Sequence, residues 1–164
     1  MVTLPPRKKK KSNLTWEIRL RDEYLTMYHA DDQFRTTVRL GPVPGVPENS
    51  TLTAAQLRSL GVFRRYADAL ILREHTAIIY EFALLPDPGD ISKLLLYGKL
   101  FPRTPEFVDI RDYRVKLVLV GALEDPVLAD MARETGIEVI LFEVPWLQEY
   151  LDTLEARKRR APAT

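Results

Sequence analysis

The sequence of 164 residues contains no cysteine. That excludes disulfides, thiolate zinc sites and cysteine nucleophiles, and it fits a reducing compartment. No apolar run approaches the roughly 20 residues of a membrane span. The N-terminal lysines have no apolar stretch behind them, so no secretory signal is expected. There is no Gly-rich phosphate loop, no Ser-His-Asp arrangement and no internal repeat. Only two histidines occur; His29 has no histidine close by in sequence, which makes it structural or solvent-exposed rather than a metal ligand. Asparagine is confined to Asn13 and Asn49, and glutamine to Gln33, Gln56 and Gln148, a weak hint of a thermophilic source. Lys+Arg 24 against Asp+Glu 23 leaves a net charge of +1, so nucleic-acid affinity has to come from local patches.

What is present is organised around residues 62–101. RYADALILR (65–73) and AIIYEFALL (77–85) are short apolar runs bounded by charge or proline, which favours strands over helices. Glu74 and His75 lie between them as a hairpin tip, although not a preferred Asn-Gly pair. If Arg73 faces Thr76, Asp68 faces Glu81. Opposed like charges in a sheet are destabilising. A hard cation with oxygen ligands would offset that repulsion; the bland alternative is two acids solvated or paired to Arg64 and Arg65.

The loop Pro86-Asp87-Pro88-Gly89-Asp90 and the run ISKLLLYGKLF follow. An acid on one strand, a second acid on the next and then a leucine-tyrosine helix resemble the PD-(D/E)XK nuclease superfamily. The resemblance implies a restriction-endonuclease-like α/β core over about residues 15–155. It also implies Mg²⁺ held by Asp68 and Glu81, with Glu17 of the first helix assisting. The family's motif lysine falls at Ala83, where this chain departs from the pattern. Lys93 stands where members often have glutamine and could supply the lost charge, although a solvent-facing lysine is the simpler expectation. As catalytic candidates the residues are Asp68, Glu81 and Lys93.

The rest of the chain supplies the scaffold. Residues 1–13 are expected to be a flexible basic tail, either solubilising or contacting phosphate or an acidic protein surface through Lys8, Lys9, Lys10 and Lys11. Thr15 should cap a helix from Trp16 to about Tyr28, with Trp16, Leu20, Tyr24, Leu25 and Met27 or Tyr28 on its apolar face. A strand at 34–40, a proline-rich loop at 41–47 and a short helix from Thr53 to Leu60 precede the hairpin. Asp90 is the expected N-cap of the helix that Pro102 stops. Strands at 115–121 and 137–144 flank a helix at 126–134, which indicates a parallel crossover. A last helix from Pro145 ends in Arg157, Lys158, Arg159 and Arg160, the start of a basic tail at 157–164. Residues 14–156 are thus expected to form one α/β domain, a mixed central sheet flanked by helices in the order αβαββαβαβα.

Because Ala83 cannot do the chemistry of lysine, the sequence favours a non-catalytic member of the fold. The chain loosely resembles small nuclease-fold proteins of tailed-phage gene blocks. That implies a DNA-binding or virion assembly component, partnered by DNA or other virion proteins, free of membrane, in the host cytoplasm or the virion, with oligomerisation open. The alternative is a Mg²⁺-dependent DNA nuclease with a migrated lysine.

Overall fold

A computed structural model describes residues 11–47 and 50–160. Among the described residues five α-helices and five strands follow in chain order: α1 (Lys11–Tyr28), β1 (Phe34–Leu40), α2 (Ala54–Leu60), β2 (Arg65–Arg73), β3 (Thr76–Ala83), α3 (Pro88–Leu100), β4 (Arg114–Gly121), α4 (Pro126–Glu134), β5 (Glu138–Leu141) and α5 (Leu147–Arg160). The strands form one mixed sheet in the order β1-β2-β3-β4-β5. β2 runs antiparallel to both of its neighbours, β1 and β3, and β4 and β5 continue parallel to β3.

The layering follows from handedness. The two parallel crossovers, through α3 and α4, step in the same direction across the sheet. Right-handed connections therefore place both helices on one face. Ile91 and Leu94 of α3 and Leu128 and Ala132 of α4 pack there on Ala77, Ile79 and Leu119. The other face, with Ile78, Tyr80, Phe82, Val118 and Val120, is covered by α1 and α5. β3 is almost wholly buried because both faces are covered, which explains its continuous apolar run.

Several boundaries differ from expectation. α1 starts at Lys11, so residues 11–13 belong to the helix rather than to a tail, and residues 1–10 lie outside the described residues. Its core face is Trp16, Leu20, Tyr24 and Leu25; Met27 and Tyr28 are exposed. Arg157–Arg160 form the last turn of α5, as expected for the close of that helix, where cations suit the C-terminus; of the expected tail at 157–164 these four are helical, and residues 161–164 lie outside the described residues. β5 is shorter than the apolar run 137–144, although Phe142 N–H still donates to Gly121 O and Val144 stays buried.

The N-cap of α3 is Asp87, not Asp90. Pro88 at the first helical position cannot donate and has its φ already set, so the helix begins one turn earlier than Asp90 would start it. Asp87 and Asp90 form a reciprocal capping box. At the other helix start, Thr53 and Gln56 cap α2 in the same way.

Two irregularities shape the sheet. Glu74 and His75 both have positive φ (46° and 60°), the pattern of a type I′ two-residue hairpin. This places Arg73 opposite Thr76 and Ala69 opposite Tyr80. Thr37 has φ 53° and is skipped in the β1–β2 register. Leu70 packs toward α3 and Ala69 toward α1, yet Ala67 joins the α3 layer. The alternation of β2 thus inverts at Asp68, beside Thr37, and the regular β2–β3 pairing ends at Ala69–Tyr80. Left-handed backbone at a β-branched residue is strained, and such strain concentrates at functional sites.

At the end of β4, a Cβ on Gly121 would stand 2.9 Å from both the Leu123 carbonyl oxygen and Pro86 Cδ. The first is backbone and cannot swing away. Gly121→Ala should therefore destabilise the fold by about 1–3 kcal/mol in urea titration. An unchanged midpoint would show that the loops after β3 and β4 are looser than described.

Candidate functional site

The site lies where β2 and β3 part company. The last regular pair, Ala69–Tyr80, is followed on β2 by Asp68 and on β3 by Glu81. Asp68 Oδ2 accepts the Phe82 N–H at 2.8 Å. The carboxylate thus takes a β3 donor that a continuing ladder would have used. Glu81 has the parity of Ala77 and Ile79, so it points into the α3 layer, and Ala83 shares that face.

The helix supplies the next groups. Asp90, Lys93 and Tyr97 follow one another at i, i+3 and i+7, one face of α3. Asp90 Oδ2 accepts the Asp87 N–H, which fixes the carboxylate. Its Oδ1 accepts from Lys93 Nζ at 3.0 Å, and Lys93 Nζ also donates to Glu81 Oε1 at 2.6 Å. Glu81 and Asp90 are 4% and 2% exposed, whereas the Lys93 side chain keeps 37% of its surface. The solvent-facing reading of Lys93 gives way to this contact: the lysine bridges from the protein surface to two buried acids. Glu81 Oε2 is buried without a hydrogen-bond partner.

The electrostatics follow from burial. Desolvation, and then the charge of Asp68, push Glu81 up to about 7 although Lys93 pulls the other way. Burial works against the Lys93 charge, but Glu81 and Asp90 outweigh it and hold the ammonium above its usual range. Burial, followed by the charge of Glu81, raises the Tyr97 phenol, so Tyr97 remains a neutral hydroxyl beside the acids.

Asp68, Glu81, Lys93 and Tyr97 open onto a cleft of about 790 Å³. Of the residues singled out by sequence, Glu17, Arg64, Arg65, Asp68, Glu81 and Lys93 all line it. Arg64 is committed to a bidentate pair with Glu106, at 2.5 and 2.8 Å. Arg157, Lys158, Arg159 and Arg160 are not part of the lining, and Arg159 pairs with Glu155 on its own helix. Lys8, Lys9 and Lys10 lie outside the described residues; Lys11 opens α1. Glu17 borders the cleft, but among the described residues no three His, Asp or Glu side chains are gathered into a metal-ligand group.

Sequence reasoning missed Asp90 as a site residue, along with Tyr97, Arg21, Phe63 and Tyr66. Arg21 sits one helical turn after Glu17, and Tyr97 one turn after Lys93, so the i+4 rule could have found both. His29 is structural: buried, it joins Asp32 Oδ2 at 2.7 Å and the Tyr80 hydroxyl at 3.0 Å, with Asp32 also held by Arg73.

Among the described residues no helix is long and apolar enough to cross a membrane. Compared with family models, curated proteins and solved structures, the chain matches none.

Proposed function

We propose that the chain is a divalent-cation-dependent phosphodiesterase of the PD-(D/E)XK type acting on DNA, with Lys93 of α3 supplying the positive charge that the motif would place at Ala83. The observation that carries this reading is the Lys93–Glu81 contact beside the unpartnered Glu81 Oε2. An unsatisfied buried carboxylate oxygen is costly. Together with Asp68 it offers the all-oxygen donor set that a hard cation takes, with water completing the shell. Glu81 and Asp68 would hold Mg²⁺. When bound, Mg²⁺ would supply Lewis-acid polarisation of the phosphate and a more acidic water.

The chain's own groups have separate tasks in this reading. Lys93 stays protonated, so it acts as a fixed positive charge and not as a base. Its Nζ lies at the cleft, where it can stabilise charge building up on a phosphoryl oxygen. Arg65, exposed on the cleft wall, can hold a flanking phosphate. Asp90 positions Lys93 through the 3.0 Å bond.

The test is incubation of a 5′-labelled oligonucleotide with the protein in Mg²⁺ or Mn²⁺ and in EDTA, beside Asp68→Ala. Metal-dependent cleavage that Asp68→Ala abolishes supports the proposal. Cleavage that survives Asp68→Ala contradicts it.

Metal affinity should depend on pH with a definite sign. Glu81 is raised to about 7 in the fold, so the apo protein is favoured at low pH and loses that stabilisation as pH rises through about 7. A metal ligand must be deprotonated. Mn²⁺ affinity by calorimetry should therefore climb roughly tenfold per pH unit below about 7 and level off above it. In Glu81→Gln this slope should vanish.

One observation favours a second reading. Lys93 already pairs with both Glu81 and Asp90, so part of the acids' charge is offset without a metal. On that reading the protein is a non-catalytic DNA-binding or assembly component of a tailed phage, working in the host cytoplasm or the virion. Intact DNA binding without cleavage, and no Mn²⁺ uptake at any pH, would favour it.

A further inference from the structure

The cleft carries more than acids and cations. The turn Gly61–Phe63 and the first residues of β2 project an exposed apolar edge along one wall. Phe63 is 66% exposed, Val62 65% and Tyr66 55%. All three line the same cleft as Asp68, Glu81 and Lys93. Leu14 and Ile18 of α1, also exposed, line it too, together with Arg21. Leaving several large apolar side chains in water beside one another marks a contact surface. The described core has no need of Phe63 or Tyr66, because neither belongs to its buried clusters.

We infer that this wall is a stacking platform for unpaired bases and that the substrate class is single-stranded nucleic acid, an inference that rests on the phosphodiesterase reading and names its substrate. Stacking on an aromatic ring is open to any base whose π-face is free, and cations on the groove secure the backbone between successive bases. Phe63 and Tyr66 lie three residues apart with Arg64 and Arg65 between them, and Arg65 is exposed. A strand laid along this wall places bases against rings and a phosphate toward Lys93 and the two carboxylates. A duplex fits less well. Its bases already stack on one another, and it would be held mainly by phosphate contacts. Among the described residues the cleft's cations are Arg21, Arg64, Arg65 and Lys93, and three of them are already paired, Arg21 with Asp22, Arg64 with Glu106 and Lys93 with Glu81, which leaves little for the phosphates of a duplex.

The inference is tested by fluorescence anisotropy with the full chain in EDTA. The probes are fluorescein-labelled oligo(dT) and a blunt mixed-sequence duplex of the same length. The proteins are the wild type and Phe63→Ala/Tyr66→Ala, whose matching melting curves serve as the folding control. The wild type should bind oligo(dT) at least about tenfold more tightly than the duplex, and the double variant should lose roughly tenfold per ring. Equal or tighter binding of the duplex overturns the inference, as does unchanged oligo(dT) binding by the double variant. Failure to bind either probe also overturns it, leaving the exposed edge as a protein-contact surface. The two proposals fail separately. Ring-dependent binding of oligo(dT) with no cleavage in Mg²⁺ or Mn²⁺ removes the phosphodiesterase reading and keeps the platform. Asp68-dependent cleavage of duplex, unaffected by loss of the rings, does the reverse.

Discussion

Lys93→Met should lower Mg²⁺-dependent cleavage by about 10²–10³-fold, the usual loss when one preorganised charge-stabilising donor is removed from an active site. Methionine keeps the length and the apolar stem, so the packing of α3 against β3 is retained. What disappears is the ammonium 2.6 Å from Glu81 Oε1 and 3.0 Å from Asp90 Oδ1. Lys93→Arg should recover part of the rate, because the charge returns in a different shape. Mn²⁺ affinity should not fall, since Glu81 loses a competing cation. The variant should also be less stable. Glu81 and Asp90 remain buried without a counter-charge, which at a fully buried pair costs several kcal/mol. Lys93 is partly exposed, so about 1–2 kcal/mol is expected after screening. That loss should be larger at pH 8 than at pH 6, where Glu81 can take up a proton. A variant that cleaves within about threefold of wild type would remove Lys93 from the mechanism, because the expected loss is at least about 10²-fold.

Trp146→Ala should cost about 3–5 kcal/mol, the range for truncating a buried large aromatic. Trp146 is buried and joins α5 to α1 in three ways. Its ring centroid lies 5.2 Å from that of Trp16, its Nε1–H donates to Glu23 Oε2 at 2.7 Å, and the Arg19 guanidinium sits 4.8 Å from its ring centroid. Arg19 is itself paired with Glu23 at 2.9 Å, so the deletion empties a cage and leaves Glu23 without its indole donor. The melting temperature should fall by roughly 10 °C, given about 2–4 °C per kcal/mol for a chain of this size. The effect should reach the site, because α1 carries Glu17 and Arg21 into the cleft wall. Trp146→Phe should recover much of the stability by refilling the cage without the hydrogen bond. A loss below about 1 kcal/mol would mean that α5 is not an integral cover of the sheet.

The hairpin and its register, with Arg73 opposite Thr76, were legible because the two strands are short, apolar and bounded by charge, and a two-residue tip leaves one register. Type I′ geometry at Glu74-His75 was less so, since neither residue favours positive φ. The alternation of helices and strands was legible from period and punctuation, and with it the mixed sheet. The start of α1 was obscured by competing signals: Thr15 is a good cap, yet Lys11 and Ser12 are already helical. For α3, two aspartates flank a proline and a glycine, and the sequence does not say which caps. Pro88 decides for Asp87, and Asp90, whose Oδ2 accepts the Asp87 N–H, holds Lys93 with its other oxygen.

The role of Lys93 was the hardest to read. A lysine between Ser92 and Leu94 looks like a solvent position by composition. Its direction is set by the helix rotation that buries Asp90 on one side and Tyr97 on the other. The inversion of β2 at Asp68 left no trace in local propensity either, because Thr37 is an ordinary strand residue forced to φ 53°. The cleft is lined by residues of α1, of the stretch from Val62 to Asp68 and of α3, and no short window of the sequence contains all three.

The most direct measurement is an anomalous difference map from crystals of the full chain soaked in Mn²⁺ above pH 8. The account predicts a peak between Asp68 and Glu81, within about 2.0–2.4 Å of a carboxylate oxygen of each, with Glu81 Oε2 among its ligands. A map without density there, and with Glu81 still paired to Lys93, would contradict the cation site on which the proposed chemistry depends.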